Sequence, residues 1–267
     1  SYQNWELIFW DNKSTDNSKK IFKSYKNKKF RYFLSKKHTS LYAARNLAIN
    51  KAKGSFIGFI DADDTWEKNK LKKQIKLFKD KKVAVVYGNS WIKREKINKK
   101  KIFIKHRIKD GFIHNDLIKS YNVGILTAII KKKFLNNNKK IFNDKYNIIG
   151  DFDLFIKLSK KNKFQVVQDP IATYRIHEKN LSLLKKGDEI TEFEDWLKKN
   201  KKNIGKKNSR IIEKKILQLK FMNIKFKKSF FDTMSFLFEN KGKIINFKNI
   251  IVLLLPKNIL KKIMWFY

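Results

Sequence analysis

Three carboxylates in four residues, Asp61, Asp63 and Asp64, stand in the run Phe59-Ile60-Asp61-Ala62-Asp63-Asp64-Thr65-Trp66, directly after an apolar stretch. Like charges packed this closely repel one another, and a bound cation relieves them; hard divalent ions with oxygen ligands suit that need. Mg²⁺ or Mn²⁺ held there would also neutralise a departing diphosphate. The plain alternative is an exposed acidic turn in which Asp64 or Thr65 caps the following helix, and on spacing alone it is the stronger reading. A second acidic turn runs Asp11-Asn12-Lys13-Ser14-Thr15-Asp16, and a further carboxylate pair, Asp151 and Asp153, follows Gly150. At a helix start Asp151 would be held as the anion by the helix dipole and free backbone amides, as a proton acceptor must be. Its alternative is a simple N-cap, with Asp153 an equally placed first-turn acid. Cysteine is absent, so any metal must be held by oxygen or imidazole.

The elements that position these carboxylates follow from the patterns around them. Trp5 to Trp10 reads as a buried strand ending at the first acidic turn, with a helix then running to about Tyr25. A strand near Phe30 to Leu34, a helix over Leu41 to Ala52, a strand over Ser55 to Ile60, a helix over Glu67 to Asp80 and a strand over Val83 to Tyr87 continue the alternation. Such alternation predicts an α/β fold, a mostly parallel sheet with helices on both faces. Ligands of such sheets sit at the carboxyl ends of the strands, where both acidic turns fall. Beyond Gly88 the pattern shortens to strands around Trp91, over Ile102 to Lys105 and near Ile125 to Ile130, then a helix from Asp151. From about Lys185 strands disappear, and Ile211, Ile212, Ile216, Leu219 and Met222 recur at helical spacing, which predicts a C-terminal helical appendage. Its end, Ile250 to Tyr267, mixes aliphatics, Trp265 and Phe266 with Lys257, Lys261 and Lys262. That mixture suits a helix in an anionic membrane interface, and equally suits ordinary packing. The longest apolar run, Ile250 to Leu255, is too short to cross a bilayer. No signal-peptide pattern is readable at the start of the chain.

The 267 residues, 42% of them apolar, suffice for one substantial domain with an appendage. The formal charge of +40 would attract phosphate on nucleic acid or on a membrane. Of the 64 cationic residues only six are Arg, however, and the Lys excess travels with Asn, Ile and Phe along the whole chain. An AT-rich coding sequence produces such a bias, so most of the charge reads as solvated surface. A basic nucleic-acid-binding or membrane-surface protein without catalysis is the rival class. It lacks the Arg richness and any helix-turn-helix, zinc or RNA-recognition signature that base reading requires, so no specific nucleic acid is expected.

The run from Tyr42-Ala43-Ala44-Arg45-Asn46 through Lys53-Gly54-Ser55-Phe56-Ile57-Gly58-Phe59-Ile60-Asp61-Ala62-Asp63-Asp64 resembles the central segment of family 2 glycosyltransferases with the GT-A (Rossmann-like) fold. Trp5 to Ser18 resembles the family's second strand and acidic turn, and Ile149-Gly150-Asp151-Phe152-Asp153-Leu154 resembles the acceptor-site helix start that carries the catalytic base. Pro170 to Ser182, with Tyr174-Arg175-Ile176-His177 and Asn180-Leu181-Ser182, resembles the segment that closes the catalytic domain. The likeness implies a catalytic domain over residues 1–184 and the helical appendage over 185–267. Family members open with a strand and a base-binding loop absent here, so the chain is expected to be an N-terminally truncated piece of a longer protein.

What the resemblance implies about residues is specific. Asp63 and Asp64 hold the metal and the donor ribose, with Asp61 beside them, and Asp151 is the base. Asp11 or Asn12 meets the nucleotide base, with Asn12 standing where many members have Asp. Arg45 approaches the donor phosphates or is simply a helix-surface residue. Arg175 binds the diphosphate bidentately and His177 ligates the metal; a strand-end imidazole satisfied by a neighbour is the alternative for His177. The expected reaction is hexosyl transfer with inversion, from a nucleotide diphosphate sugar to a hydroxyl of a cell-surface glycan or lipid-linked saccharide. Mn²⁺ or Mg²⁺ is the expected cofactor. The expected place is the cytoplasm, peripherally at the inner face of the cell membrane.

Overall fold

A computed structural model describes residues 2–135, 140–244 and 247–263. The chain forms two compact units, Ser1–Ile176 and His177–Tyr267. The first unit runs β1 (Leu7–Asp11), α1 (Ser18–Ser24), β2 (Phe30–Leu34), α2 (Leu41–Ile49), β3 (Phe56–Gly58), β4 (Thr65–Trp66) and α3 (Lys70–Ile75), the last extended by a 3₁₀ turn over Lys76–Lys79. It continues with β5 (Val83–Arg94), β6 (Lys99–Ile102), α4 (His114–Lys119), β7 (Ile129–Lys131), α5 (Gly150–Ser159) and β8 (Lys163–Ile176).

β1 and β2 pair in parallel as a two-stranded sheet. The larger sheet has the order β3-β7-β5-β8-β4, with β6 added on β5. The α/β class is as expected, but the pairing is mixed rather than mostly parallel. β5 and β8 are parallel, whereas β7 lies antiparallel between β3 and β5. β3, β5 and β8 therefore run in one direction, as the alternation predicts. The inserted β7 converts a direct parallel pairing into two antiparallel ones.

β5 is the spine of this sheet. Val83 to Tyr87 are completely buried, so both faces of the strand are covered, which is why the run is apolar without alternation. On one face Val83 and Val86 pack with Phe78, Ile129, Val167 and Ile171. On the other, Tyr87 meets Phe164, which in turn meets Phe155 of α5. The sequence pattern stops this strand at Tyr87 and sets a separate one near Trp91; the structure carries it unbroken to Arg94. β8 has no counterpart in the pattern because Pro170 interrupts it. Pro170 opposes Asn89, where the ladder shifts register on either side of Asn89, and such an irregularity is where a strand tolerates proline. The expected strand near Ile125 to Ile130 shrinks to β7, because Thr127 and Ala128 turn back onto the Gly124 carbonyl.

The second unit is helical: α6 (Leu181–Leu184), α7 (Lys186–Lys227), α8 (Phe230–Glu239), α9 (Lys241–Ile244), α10 (Phe247–Leu254) and α11 (Lys257–Ile263). α7 is two helices meeting at Gly205, whose φ of 77° few other residues adopt. Phe221, Met222, Leu237, Ile244, Val252, Leu253 and Leu260 form a core cluster of this unit. Ser229 and Asp232 close a reciprocal capping box at the start of α8. No described helix is long and apolar enough to cross a membrane. Residues 264–267 of the expected interfacial segment, with Trp265 and Phe266, lie outside the described residues.

Candidate active site

One face of α2 organises the centre of the first unit. Ser40 caps the helix, accepting from the Ala43 N–H and donating to the Asp144 carbonyl at 3.0 Å. One turn in, Tyr42, Arg45 and Asn46 share a face, as positions i, i+3 and i+4 must. The Asn46 amide clips the Ile141–Phe142 backbone, accepting from Phe142 N at 2.8 Å and donating to its carbonyl at 2.9 Å. This fixes the approach to α5. The Tyr42 hydroxyl is shared between the Ile148 carbonyl at 3.1 Å and Asp151 Oδ1 at 3.2 Å. Gly150 makes the contact possible, because a Cβ there would lie 2.6 Å from the Tyr42 ring.

Asp151 thus sits in the first turn of α5, accepting also from the Phe152 N–H at 2.8 Å. The cap position is Ile149, so Asp151 is not the N-cap. Burial pushes its carboxyl above the usual carboxylate range; the nearby Arg45 charge and the hydrogen bonds from Phe152, Tyr42 and Tyr121 oppose this without overcoming it. A carboxylate with raised proton affinity is a stronger base than one in water. Asp153 plays a different part, being 2% exposed and paired with Lys157 at 2.6 Å along the helix.

Arg45 is no surface residue, being 8% exposed. Its guanidinium lies between the rings of Tyr42 and Phe59, 5.3 and 5.7 Å from their centroids. One nitrogen donates to both oxygens of Asp61, at 2.8 and 3.0 Å. Burial lowers its proton affinity, but Asp61, Tyr42 and Asp151 more than restore it. A single cation therefore ties the acidic turn to the Asp151 region.

The rest of the acidic turn is fastened to β8. The Arg175 N–H donates to Asp64 Oδ1 at 2.9 Å, its Nε to the Asp63 carbonyl, and its Nη1 to Glu95 at 3.2 Å. β4, pairing Thr65 with Thr173 and Trp66 with Ala172, holds the register. Asp64 is 7% exposed. Burial, reinforced by the charges of Asp63 and Asp61, raises its carboxyl to about 7 against the Arg175 hydrogen bond. A buried carboxyl destabilised as the anion by two neighbouring carboxylates is what a cation would relieve. Among the described residues no three His, Asp or Glu side chains converge to hold a metal ion. An ion here would have only one or two carboxylates to hold it and would need further ligands from a substrate, as Mg²⁺ commonly does.

The remaining expected residues have partners of their own. Asp11 is 2% exposed; burial raises its carboxyl, but hydrogen bonds from the Tyr32 hydroxyl and Ser14 hold it below the usual range. Asn12 donates to the Thr39 carbonyl at 2.8 Å and accepts from the Thr39 N–H and hydroxyl at 3.1 and 3.0 Å. Asp11 thus ties its turn to β2 through Tyr32, and Asn12 ties it to Thr39 just before α2. His177 opens the second unit, its N–H donating to Asn180 Oδ1 at 2.6 Å and its Nδ1 accepting from the Lys179 N–H at 3.2 Å. Tyr42 is visible in the sequence only as part of a motif, without a role; Tyr121, which flanks Asp151 from far along the chain, has no sequence signal at all.

A family model described as glycosyl transferase family 2 matches residues 1–158, which include both acidic turns, α2 and Asp151. The Escherichia coli UDP-Glc:alpha-D-GlcNAc-diphosphoundecaprenol beta-1,3-glucosyltransferase WfgD is 28% identical over 184 residues, 68% of this chain and 70% of that one. The Erwinia amylovora amylovoran biosynthesis glycosyltransferase AmsB is 29% identical over 187 residues, 66% of this chain and 62% of that one. Among solved structures, S. aureus TarS 1-349 superposes with a TM-score of 0.57 at 18% identity, covering 89% of this chain and 68% of that one. At that identity the likeness is one of fold.

Proposed function

The chain belongs to glycosyl transferase family 2, and from that premise we propose that it moves a hexosyl group with inversion from a nucleoside diphosphate sugar to a hydroxyl of a lipid-linked or cell-surface saccharide. The observation that carries the reading is the Asp151 carboxyl, raised in proton affinity by burial and joined through Tyr42 and Arg45 to the acidic turn. Asp151 takes the proton of the attacking hydroxyl. Help of this kind is worth ~10²–10⁴-fold in rate. Arg45 keeps Asp61 in place, and Arg175 keeps Asp63 and Asp64 in place, from the two sides of the turn. Asp63 and Asp64 would hold Mn²⁺ or Mg²⁺, which when bound supplies positive charge for the departing diphosphate. Asp11 and Asn12 stiffen the turn after β1, where the nucleobase is expected.

The donor class agrees with the TarS structure solved with UDP-GlcNAc, which superposes with a TM-score of 0.55. The acceptor class follows WfgD, whose acceptor is a sugar diphosphate on a lipid. The second unit supports attachment to the inner face of an anionic membrane. α10 and α11 leave Ile250, Ile251, Leu254 and Ile259 from 40% to 68% exposed, next to a chain end rich in Lys. The test is transfer from a panel of nucleoside diphosphate sugars to lipid-linked saccharides with Mn²⁺ and with EDTA. Transfer that needs the ion supports the reading, and no donor consumption from any member of the panel sinks it.

A further inference from the structure

The larger sheet carries a row of cations that ends at the acidic turn. Lys93 of β5 stands directly opposite Lys100 of β6 and directly opposite Arg175 of β8. Residues paired in this way share one face of a sheet, with Cβ atoms about 5 Å apart. The neighbouring Ile92 and Ile176 take the other face and are buried, whereas Lys100 is exposed and Lys93 and Arg175 are half-buried. The Lys100 ammonium lies 4.6 Å from the centroid of the Trp91 ring, two residues before Lys93 and on the same face. Arg175 joins the row to the turn, its Nε donating to the Asp63 carbonyl and its N–H to Asp64 Oδ1.

Like charges directly opposite one another weaken a sheet. Lysines on an edge strand such as β6 commonly deter pairing with another chain. Lys93 has no such use, because β5 lies between β6 and β8. Glu95 pairs with Arg175 at 3.2 Å, but among the described residues no carboxylate pairs with Lys93 or Lys100. The charges of the turn point the same way. Arg45, Arg175 and a divalent ion would just cancel Asp61, Asp63, Asp64 and Glu95, leaving the charge of a diphosphate unmatched. Lys93 and Lys100 supply the missing charge one and two strands beyond Arg175. Their side is also the right one. Asp61 is tied through Arg45 and Tyr42 towards Asp151, so the row extends from the end of the turn away from the base. In a displacement with inversion the leaving group departs opposite the attacking hydroxyl. We propose that Lys93, with Lys100 beside it, holds the diphosphate of the sugar donor next to Arg175 and stabilises it as it leaves. The inference rests on the transferase reading above and adds residues that reading does not use. In the reaction the acceptor O–H proton passes to Asp151 and the acceptor oxygen bonds to the anomeric carbon. The bond from that carbon to the diphosphate breaks with its electron pair on the diphosphate oxygen. The Lys93 ammonium keeps its proton and donates a hydrogen bond to the charge that collects there.

The experiment compares the full chain with Lys93→Gln, Lys93→Arg and Lys28→Gln, the last removing one exposed charge just before β2. Each protein is melted without ligand, titrated with inorganic pyrophosphate in Mn²⁺, and assayed for transfer with the donor panel above. Lys93→Gln should melt at or above the parent, because a repulsion is removed. Its affinity for pyrophosphate should fall on the order of 10-fold, the worth of one hydrogen bond between charged groups. Transfer should fall with it while KM for acceptor holds. Lys93→Arg should regain most of the affinity, and Lys28→Gln should match the parent. Pyrophosphate that does not bind the parent, or binds Lys93→Gln as tightly, would overturn the proposal. An equal loss in Lys28→Gln would also overturn it, by reducing the effect to net charge. So would a raised KM for acceptor with pyrophosphate affinity kept, which would assign the row to the acceptor. A parent that binds pyrophosphate through Lys93 but consumes no donor would leave the row standing as a diphosphate site and sink the transferase reading alone.

Discussion

Replacing Asp64 by Asn tests the proposed cation site through stability alone. The Asp64 carboxyl is displaced from 3.8 to about 7, chiefly by burial. Because the folded value lies above the unfolded one, Asp64 contributes fully to stability below about pH 4. That contribution is lost as pH rises towards 7 and is gone above it. Each tenfold change in proton affinity is worth ~1.4 kcal/mol. The full displacement thus sets a ceiling near ~4 kcal/mol, and partial solvent screening of the turn reduces this to ~1–3 kcal/mol. At ~2–4 °C per kcal/mol, Asp64→Asn should melt several degrees above the parent at pH 8 in EDTA. At pH 4 the two should melt together. Mn²⁺ should reverse the order at pH 8, because only the parent gains the full binding energy of the ion. The assay is a thermal melt of both proteins from pH 4 to 8, with EDTA and with Mn²⁺. A parent at least as stable as the variant at pH 8 in EDTA would refute the reasoning, since the anion would then carry no cost for a cation to relieve.

Other substitutions separate the parts of the site. Gly150→Ala puts a Cβ 2.6 Å from the Tyr42 ring, so despite the better helix propensity of Ala it should cost ~1–3 kcal/mol by thermal melt and reduce turnover as Tyr42 is pushed from Asp151. Asp153→Asn removes a helix ion pair whose lysine is largely exposed; it should lower the melting temperature slightly, with kcat kept within about threefold. Replacing the exposed Ile250, Ile251, Leu254 and Ile259 by Ser, which spares the buried Val252, Leu253 and Leu260, should abolish sedimentation with anionic vesicles and leave transfer to a soluble acceptor intact; equal sedimentation of parent and variant would show that attachment lies elsewhere.

The parts of this fold legible in the sequence are those whose pattern is contiguous. β1, β2, α2 and the buried run of β5 carry local signals strong enough to place, and the acidic clusters fall at strand ends as open α/β sheets require. β8 is hidden because Pro170 breaks its pattern at a register shift, and the antiparallel insertion of β7 has no local signature. The candidate site is legible as residue types and not as partnerships. Arg45 is caught between two rings and bound to Asp61, and Arg175 reaches the acidic turn through its backbone as well as its side chain. Tyr121 lies 30 residues before Asp151 in the sequence, and only the packing of Phe152 brings its ring there. Such pairings arise from tertiary contacts that no periodicity encodes.

The most direct test of the account is the turnover of Asp151→Asn in the full chain with donor, Mn²⁺ and acceptor. The amide keeps the volume of the carboxyl and can still accept from the Phe152 N–H and the Tyr42 hydroxyl, as Asp151 Oδ1 does at 2.8 and 3.2 Å. Fold and donor affinity should therefore persist while transfer falls by ~10²–10⁴-fold. Transfer close to that of the parent, with donor affinity equally close, would contradict the assignment of Asp151 as the base.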